Sequence, residues 1–350
     1  MKRLAGVCFL IILVSLAAGS CGYNENLNDV TDEGEDITIG FSMATLLEDR
    51  WVRDRDMFAE QAKKKGLSVI FTNANKDSEL QLDQVGELLE QNIDVLVLAP
   101  VDSEKAVDCV TAAQQKGVPV IAYDRLPYKS NVDAYVSFDN FMIGDLMGKA
   151  LLEAVPNGGY LLVKGSSNDN NSSTVAEGIM NVLGPGIAAG DIEILAETWI
   201  EGWVREDAYE YTAESIKKFG DRINAVACGN DSLACGVMEA LAEAQVSGGV
   251  QVVGQDADLV NCRKIVQGQQ LMTVYKPIEK LVESAAELCL AIVNGDEIEF
   301  TQTISDGQYD VPFISCDVIA VTKDNLDDTV IKDGFHLEED VYRTAGISDK

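Results

Sequence analysis

Residues 93–125 read IDVLVLAPVDSEKAVDCVTAAQQKGVPVIAYDR, and this stretch decides the fold class. An apolar run at 93–98 stops at a proline, an amphipathic segment follows at 103–116, and a second apolar run fills 118–123. Continuous apolar runs are typical of strands buried on both faces, as in parallel sheets that crossover helices cover. The stretch therefore predicts a strand, a helix and a second strand of one parallel sheet.

Outward from this unit the same alternation covers most of the chain. Further strands are predicted at 37–43, 67–72, 160–163, 192–197, 223–228, 250–253 and 271–275. Further helices are predicted at 50–65, 78–91, 175–183, 206–219, 232–244 and 259–267. The pattern indicates an α/β protein with two doubly wound, Rossmann-like units in series. The tail, with a helix from 277 to about 293 and short strands near 300–304 and 318–321, is expected to supply elements to both units.

Length and charge limit the class of protein. The chain has 350 residues, enough for two domains of about 150 residues each. Its formal net charge is −31, from 58 acidic and 27 basic residues. A surface this acidic repels phosphates, so we expect no nucleic-acid partner.

Residues 1–20 predict a lipoprotein signal peptide. A basic start precedes an apolar run at 4–18, and small residues then lead to Cys21. This order resembles the bacterial lipobox, in which Cys21 would be acylated and become the mature N-terminus. An uncleaved membrane anchor is the alternative, although the run is short for a membrane span. Residues 21–36 are polar and acidic and predict a flexible tether, so we expect a secreted protein, lipid-anchored to the outer face of the cell membrane or periplasmic.

The cysteine and histidine content disfavours metal binding and nucleophilic catalysis. The six cysteines after Cys21 are scattered without a C-x-x-C pair, and the single histidine, His336, lies near the end. A zinc site or a Ser-His-Asp or Cys-His set is therefore not expected. Phosphate-loop and dinucleotide motifs are also absent from the sequence. We predict a protein that is not an enzyme and has no cofactor or metal; the sequence leaves open whether the cysteines pair.

Polar and aromatic side chains follow the predicted strands at the points where the strands end. Seven such ends carry residues 46–51, Asp124 and Arg125, Asp169 with Asn170 and Asn171, Trp203, Asn230 and Asp231, Gln255 and Asp256, and Lys276. Each set alone is also explained by a helix cap, a turn or a solvated charge. Because open parallel sheets bind ligands beyond the carboxyl ends of their strands, the common edge favours a binding site.

The residue types at these ends favour a neutral sugar. Carboxylates, amides, guanidinium groups and ammonium groups form paired donors and acceptors that suit vicinal hydroxyls. Trp51 and Trp203 offer flat apolar faces for the C–H face of a pyranose ring. A phosphorylated ligand would favour a more basic site with a glycine-rich helix start.

Nine segments of the chain resemble the periplasmic D-xylose-binding protein family. They are DRWVRDRDMF (49–58), NIDVLVLAP (92–100), GVPVIAYDR (117–125), AYVSFDN (134–140), NDNNS (168–172), EGWVREDA (201–208), VVGQDADL (252–259), MTVYKPI (272–278) and DTVIKDGFH (328–336). The likeness runs in order from about residue 37 to residue 336. The family consists of sugar receptors of the type I periplasmic-binding-protein fold that serve ABC importers.

This resemblance implies two lobes joined by a three-stranded hinge, with sugar in the cleft. One lobe would comprise 37–142 plus 277–310, and the other 143–276 plus 311–345. The family's ligand positions match Arg50, Asp124, Arg125, Asn171, Trp203, Asn230, Asp256 and Lys276, and further motif positions match Trp51 and Asp169. The implied function is capture of a monosaccharide, D-xylose first of all, by a monomeric protein that delivers it to an ABC permease.

Several alternatives stay open. The stretch SMAT at 42–45 resembles related multi-sugar receptors, which accept glucose, galactose or arabinose. The same fold also serves sugar sensing, with a two-component kinase or a chemoreceptor as the membrane partner. A repressor core of this fold is disfavoured by the signal sequence and by the lack of a basic helix-turn-helix. A glycosidase with paired carboxylates is a more distant alternative.

Overall fold

The computed structural model describes residues 37–298, 300 and 302–343. The predicted signal peptide, the acylation at Cys21 and the tether at 21–36 lie outside these residues. Within the described ranges, no helix has the length and apolar character needed to cross a membrane.

The first half of the chain forms alternating strands and helices, as predicted. These are β1 (Thr38–Met43), α1 (Asp49–Lys64), β2 (Ser68–Asn73), α2 (Ser78–Glu90), β3 (Val95–Leu98), α3 (Ala106–Gln115), β4 (Val120–Tyr123) and β5 (Ala134–Phe138). Every residue of β3, β4 and β5 is buried, which explains their continuous apolar sequences.

The second half repeats the alternation and ends in a tail. It contains α4 (Asn140–Ala154), β6 (Gly158–Lys164), α5 (Asn170–Ala189), β7 (Ile192–Trp199), α6 (Arg205–Phe219), β8 (Ile223–Cys228), α7 (Asp231–Glu243), β9 (Gln251–Gln255), α8 (Leu259–Val266) and β10 (Met272–Tyr275). The tail contains α9 (Ile278–Asn294), β11 (Gln302–Ser305), β12 (Asp310–Cys316), β13 (Ile319–Val321) and a short helix α10 (Glu338–Val341).

The strands form two mainly parallel sheets. Over the described residues, the first sheet has the order β11-β12-β5-β4-β3-β1-β2 and the second has the order β13-β10-β9-β8-β6-β7. Only β11 with β12 and β10 with β13 pair antiparallel among the described strands. The prediction of two doubly wound units is therefore confirmed, and the strands' carboxyl ends supply the residues of the site described below.

The tail supplies strands to both sheets, as expected from the sequence. The strands β11 and β12 extend the first sheet, and β13 extends the second. The chain consequently passes between the sheets three times, after β5, after β10 and after β12. The predicted division at 310/311 falls at the start of β12. Because β12 pairs with β5, residues 311–316 belong to the first sheet, and this passage comes after Cys316.

Four elements were not predicted, and one helix is longer than expected. No element was predicted at β5, α4, β12 or α10, and α5 was limited to 175–183 although the helix continues through Pro185. The helix α4 packs tightly on α5 because glycines lie at their contact. A Cβ at Gly144 would lie 2.0 Å from the carbonyl oxygen of Val175.

Candidate functional site

All ten residues predicted to bind ligand line one cavity between the two sheets. They are Arg50, Trp51, Asp124, Arg125, Asp169, Asn171, Trp203, Asn230, Asp256 and Lys276. Arg50 and Trp51 lie in the first turn of α1, and Asp124 directly follows β4. The ends of β6 to β10 bring the residues of the second half to the same place. The topology thus gathers residues that are up to 226 positions apart, from Arg50 to Lys276.

Asp124 is held from several sides. Its backbone has φ +64°, in the left-handed region, and directs the chain away from the sheet. Its carbonyl oxygen accepts from Tyr135 Oη (2.7 Å), Ser137 Oγ (2.6 Å) and Asn171 Nδ2 (3.0 Å). Its carboxylate accepts from Arg50 Nη2 and from Asn171 Nδ2, the latter at 3.1 Å. These contacts hold the carboxylate at the cavity wall.

Three ion pairs line the cavity, each with one acid and one base. Arg50 pairs with Asp124. Arg125 Nε lies 2.7 Å from Asp169 Oδ2, and Lys276 Nζ lies 2.6 Å from Asp256 Oδ1. The pairs balance positive and negative charge, which suits an uncharged polar ligand better than an anion.

The two buried acids at the cavity wall differ in pKa. Burial alone would raise the pKa of Asp124, but the neighbouring charges of Arg50 and Lys276 hold it below its usual value. Burial raises the pKa of Asp169 above its usual value in spite of the Arg125 charge, and the nearby Asp124 adds to this. At Asp169, burial therefore outweighs the charge of its partner Arg125, whereas at Asp124 the neighbouring positive charges outweigh burial.

Trp203 lies flat on the backbone of the second half. A Cβ at Gly165 would lie 2.0 Å from Trp203 Cη2, and one at Gly229 would lie 3.0 Å from Trp203 Cζ3. The residue has φ +58° and follows Gly202, which has φ +64°. Glycine is therefore required beneath the indole, and the left-handed turn sets the ring against the cavity.

Trp51 has a different environment from Trp203. Its ring centroid lies 4.8 Å from the guanidinium carbon of Arg50 and 5.3 Å from that of Arg125. The ring is almost fully buried. Trp51 therefore holds the two arginines through cation–π contacts, a role in the cavity wall that the sequence did not indicate.

Some cavity residues are also helix caps. Asn230 Oδ1 accepts from Leu233 N at 2.9 Å and caps α7, and Asp169 Oδ1 accepts from Asn171 N at 3.0 Å and caps α5. The amide nitrogen of Asn230 takes no part in its cap. The structural and ligand-binding interpretations are thus compatible at both positions. Asp231, in contrast, lies outside the cavity lining and is fully buried.

Four further residues line the cavity but were not among the predicted site residues. They are Glu48, Asn140, Gln255 and Asp258. Gln255 accepts from Lys276 Nζ at 3.1 Å, and Asn140 Nδ2 donates to Asn171 Oδ1 at 2.9 Å. Asn140 follows β5, so recognition of that strand in the sequence would have indicated it.

Contacts outside the cavity join the same two halves of the chain. Ser103 N donates to Asn168 O at 2.9 Å, and Lys76 Nζ donates to Gly202 O at 2.9 Å. The ion pair of Arg125 with Asp169 joins the two halves at the cavity itself. The two halves therefore meet around the cavity, as in a closed conformation.

The described residues form neither a metal-binding cluster nor a disulfide. Over the described residues, no group of three or more His, Cys, Asp or Glu side chains is arranged to hold a metal ion. The six cysteines from Cys109 to Cys316 all carry free thiols.

The sequence and the fold match one family of proteins. The family model described as "Periplasmic binding protein domain" matches residues 39–297. The chain belongs to the periplasmic binding protein family. The expected type I periplasmic-binding-protein fold is thereby confirmed.

Individual members of the periplasmic binding protein family are similar over most of their length. The D-xylose-binding periplasmic protein of Haemophilus influenzae is 39% identical over 88% of this chain and 93% of its own. The D-xylose-binding periplasmic protein of Escherichia coli is 38% identical over 90% and 96%. A solved ABC transporter solute-binding protein of Clostridium phytofermentans, with bound β-D-glucose, superposes with a TM-score of 0.81 at 28% identity, covering 87% of this chain and 99% of its own.

Proposed function

We propose that this protein captures a monosaccharide, D-xylose first of all, in the cavity between its sheets and delivers it to an ABC importer. The observation that carries the proposal is the set of three ion pairs around one cavity, contributed by both halves of the chain. The two relatives named for D-xylose, at 38–39% identity over nearly the whole chain, support this sugar.

Each part of the cavity has a role in binding. Arg50, Arg125 and Lys276 donate to sugar hydroxyls, and Asp124 and Asp256 accept from them. Asn171 and Asn230 complete the polar contacts, while Trp203 packs on the ring's C–H face. Trp51 and Asp169 contribute by orienting Arg125. Because each charge already has a partner, little reorganisation is needed when a hydroxyl arrives.

Closure of the two lobes around the sugar is the step that the permease would recognise. The three passages of the chain between the sheets serve as the hinge. The contacts Lys76 to Gly202 and Ser103 to Asn168 form at closure. Closure also removes water from the ion pairs and strengthens each of them.

The cellular setting follows from the family and the N-terminal sequence. As in the periplasmic relatives, the protein works outside the cytoplasmic membrane. Acylation at Cys21 would tether it there, with 21–36 as the spacer. It acts as a monomer, and sugar leaves the cavity chemically unchanged.

A second candidate is a receptor that accepts several sugars. The bound β-D-glucose in the Clostridium phytofermentans protein and the SMAT stretch at 42–45 favour it. A sensing role, with a kinase or chemoreceptor as partner, would use the same closed form.

Calorimetric titration of the purified mature protein tests the proposal. D-xylose, D-glucose, L-arabinose and D-ribose are added in separate experiments. We expect one-to-one binding, strongest for D-xylose. Comparable heats with glucose and arabinose would favour the multi-sugar receptor. If none of the four sugars gives a heat of binding, the proposal is wrong.

A further inference from the structure

Asp54 lies behind the cavity on helix α1, and its side chain is fully buried. It is outside the cavity lining. We propose that Asp54 is a positioning residue that orients the Arg50 guanidinium toward a sugar in the cavity. This inference rests on the proposed function, because the orientation matters for binding only if Arg50 contacts a ligand.

The contacts of Asp54 are directed at Arg50 and at the strand that ends in the site. Arg50 and Asp54 are four residues apart on α1, and Arg50 Nε lies 3.3 Å from Asp54 Oδ2. This contact is an ion pair rather than an aligned hydrogen bond. The other oxygen, Oδ1, accepts from the hydroxyl of Tyr123. Asp54 Oδ1 thus has a hydrogen-bond partner, whereas Oδ2 has only its ion pair with Arg50.

Together with Asp124, these residues connect α1 to the end of β4 through a ring of side-chain contacts. Tyr123 precedes Asp124, and Arg50 Nη2 donates to the Asp124 carboxylate. A guanidinium group is planar, so the Asp54 charge beside Nε and the Asp124 carboxylate hydrogen-bonded to Nη2 together restrict the orientation of the group. Since Arg50 also lines the cavity, its remaining N–H groups are left for a ligand.

Stability alone is a weak reason for an aspartate at this position. A buried ion pair is often no more stabilising than apolar side chains of the same volume. Burial raises the pKa of Asp54 to about 6, although Arg50 and Tyr123 act in the opposite direction. Of the other charged groups near it, Asp124 raises the pKa and Lys276 lowers it. The position is unfavourable for an ionised acid, so stability does not account for the aspartate. This favours an orienting role in binding.

The first test compares two substitutions on the same helix. Asp54→Asn removes the charge with little change in shape. Asp56→Asn removes an exposed charge two residues away, where the acid pairs only with Arg55 among the described ion pairs. We expect Asp54→Asn to weaken D-xylose binding about tenfold, and Asp56→Asn to leave it within about twofold. Truncating one partner of a buried interfacial charge pair costs about thirtyfold or more, and the smaller loss is expected because Asp54 acts through Arg50 and does not touch the sugar.

The second test measures the release of protons on sugar binding, which a purely structural role of Asp54 would not change. If the bound form requires ionised Asp54, sugar binding near pH 6 releases protons from the wild type. Calorimetry in two buffers of different protonation heat measures this release. It should be smaller in Asp54→Asn than in the wild type or in Asp56→Asn.

Tyr123→Phe provides the test if Asp54→Asn does not fold. The Tyr123 hydroxyl lowers the pKa of Asp54, so its loss should raise the pH at which binding weakens. A wild type that binds no sugar defeats the proposed function. If the wild type binds sugar and Asp54→Asn matches it in both affinity and proton release, the positioning role of Asp54 is wrong while the proposed function stands. An unchanged pH profile in Tyr123→Phe would overturn the positioning role in the same way.

Discussion

Arg125 Nε lies 2.7 Å from Asp169 Oδ2, and this ion pair joins the end of the first-sheet strand β4 to the N-cap of α5. The side chains are only 13% and 3% exposed. Because the two residues come from different halves of the chain, their contact depends on how closely the halves approach. The distance between the two side chains therefore indicates whether the halves have closed. The pair is also a part of the cavity wall.

Asp169→Asn should weaken sugar binding while leaving the fold intact. Asparagine keeps the oxygen that caps α5 but loses the charge that pairs with Arg125. We expect affinity for D-xylose to fall by about tenfold or more, because the closed form loses its charge pair. Calorimetry measures the affinity, and thermal melting of the sugar-free protein checks the fold.

Glu177→Gln is the matched control for this substitution. It removes the same charge from an exposed position of the same helix. Its affinity should stay near that of the wild type. Equal losses in Glu177→Gln and Asp169→Asn would show that net charge, rather than the ion pair, is responsible.

Asp124→Asn should abolish most sugar binding. The two carboxylate oxygens accept from Arg50 and from Asn171, whereas asparagine replaces one oxygen with an amide nitrogen, so one of these two side-chain contacts is lost. We expect affinity to fall by about a hundredfold, measured by calorimetry. Binding equal to that of the wild type would reduce Asp124 to a structural ion pair.

Asp124→Ala should lower both binding and stability. Residue 124 has φ +64°, a conformation that asparagine tolerates better than alanine. The alanine variant should therefore lose about 1 kcal/mol more stability than Asp124→Asn. Denaturant unfolding of the two variants measures the difference, and a more stable alanine variant would argue against backbone strain at this position.

Gly165→Ala should displace Trp203 and weaken binding. The added Cβ would lie 2.0 Å from Trp203 Cη2, so the indole must move. Gly184→Ala, in α5, is the control because its Cβ would meet nothing within 4 Å. We expect quenching of tryptophan fluorescence by sugar to change in Gly165→Ala and to persist in Gly184→Ala. An unchanged response in both would remove Trp203 from the ligand contacts.

The protein should be more stable near pH 5 than near pH 8. Burial raises the pKa of Asp258 to about 7, with Asp256 and Asp49 adding to it. In an unfolded chain the pKa of an aspartate is about 4. Because the folded protein holds this proton more tightly, stability falls as the pH rises from about 4 through 7. The melting temperature across this range measures the effect.

Asp258→Asn should reduce the slope of that pH profile, with the remaining fall coming from Asp54, whereas Asp56→Asn should leave the slope unchanged. Asparagine removes the titration at the buried position, while the control removes an exposed acid. A wild-type melting temperature that rises steadily from pH 5 to pH 8 would contradict this account.

Much of the fold follows from local sequence patterns. The strands β3 and β4 are buried on both faces, so their apolar runs are visible without any knowledge of tertiary structure. In contrast, β12 contains Pro312, and four of its seven residues are only partly buried; its place beside β5 depends on a contact far along the chain. Such non-local pairing leaves no signal in a short window of sequence.

The candidate site was predictable to the extent that it consists of strand ends. Each predicted residue follows a strand, and parallel topology brings those ends to one edge. Asn140 was missed because β5 was missed. The roles of Asp54 and Tyr123 were not predictable, because they depend on how α1 packs against β4 rather than on either segment alone.

The central claim is that the cavity between the sheets binds a monosaccharide. A crystal structure of the protein grown with D-xylose tests it most directly. We predict one pyranose in the cavity, with hydroxyls within hydrogen-bond distance of Arg50, Asp124 and Lys276, and Trp203 against the ring. A cavity without sugar at saturating D-xylose, or sugar bound elsewhere on the surface, would contradict the account.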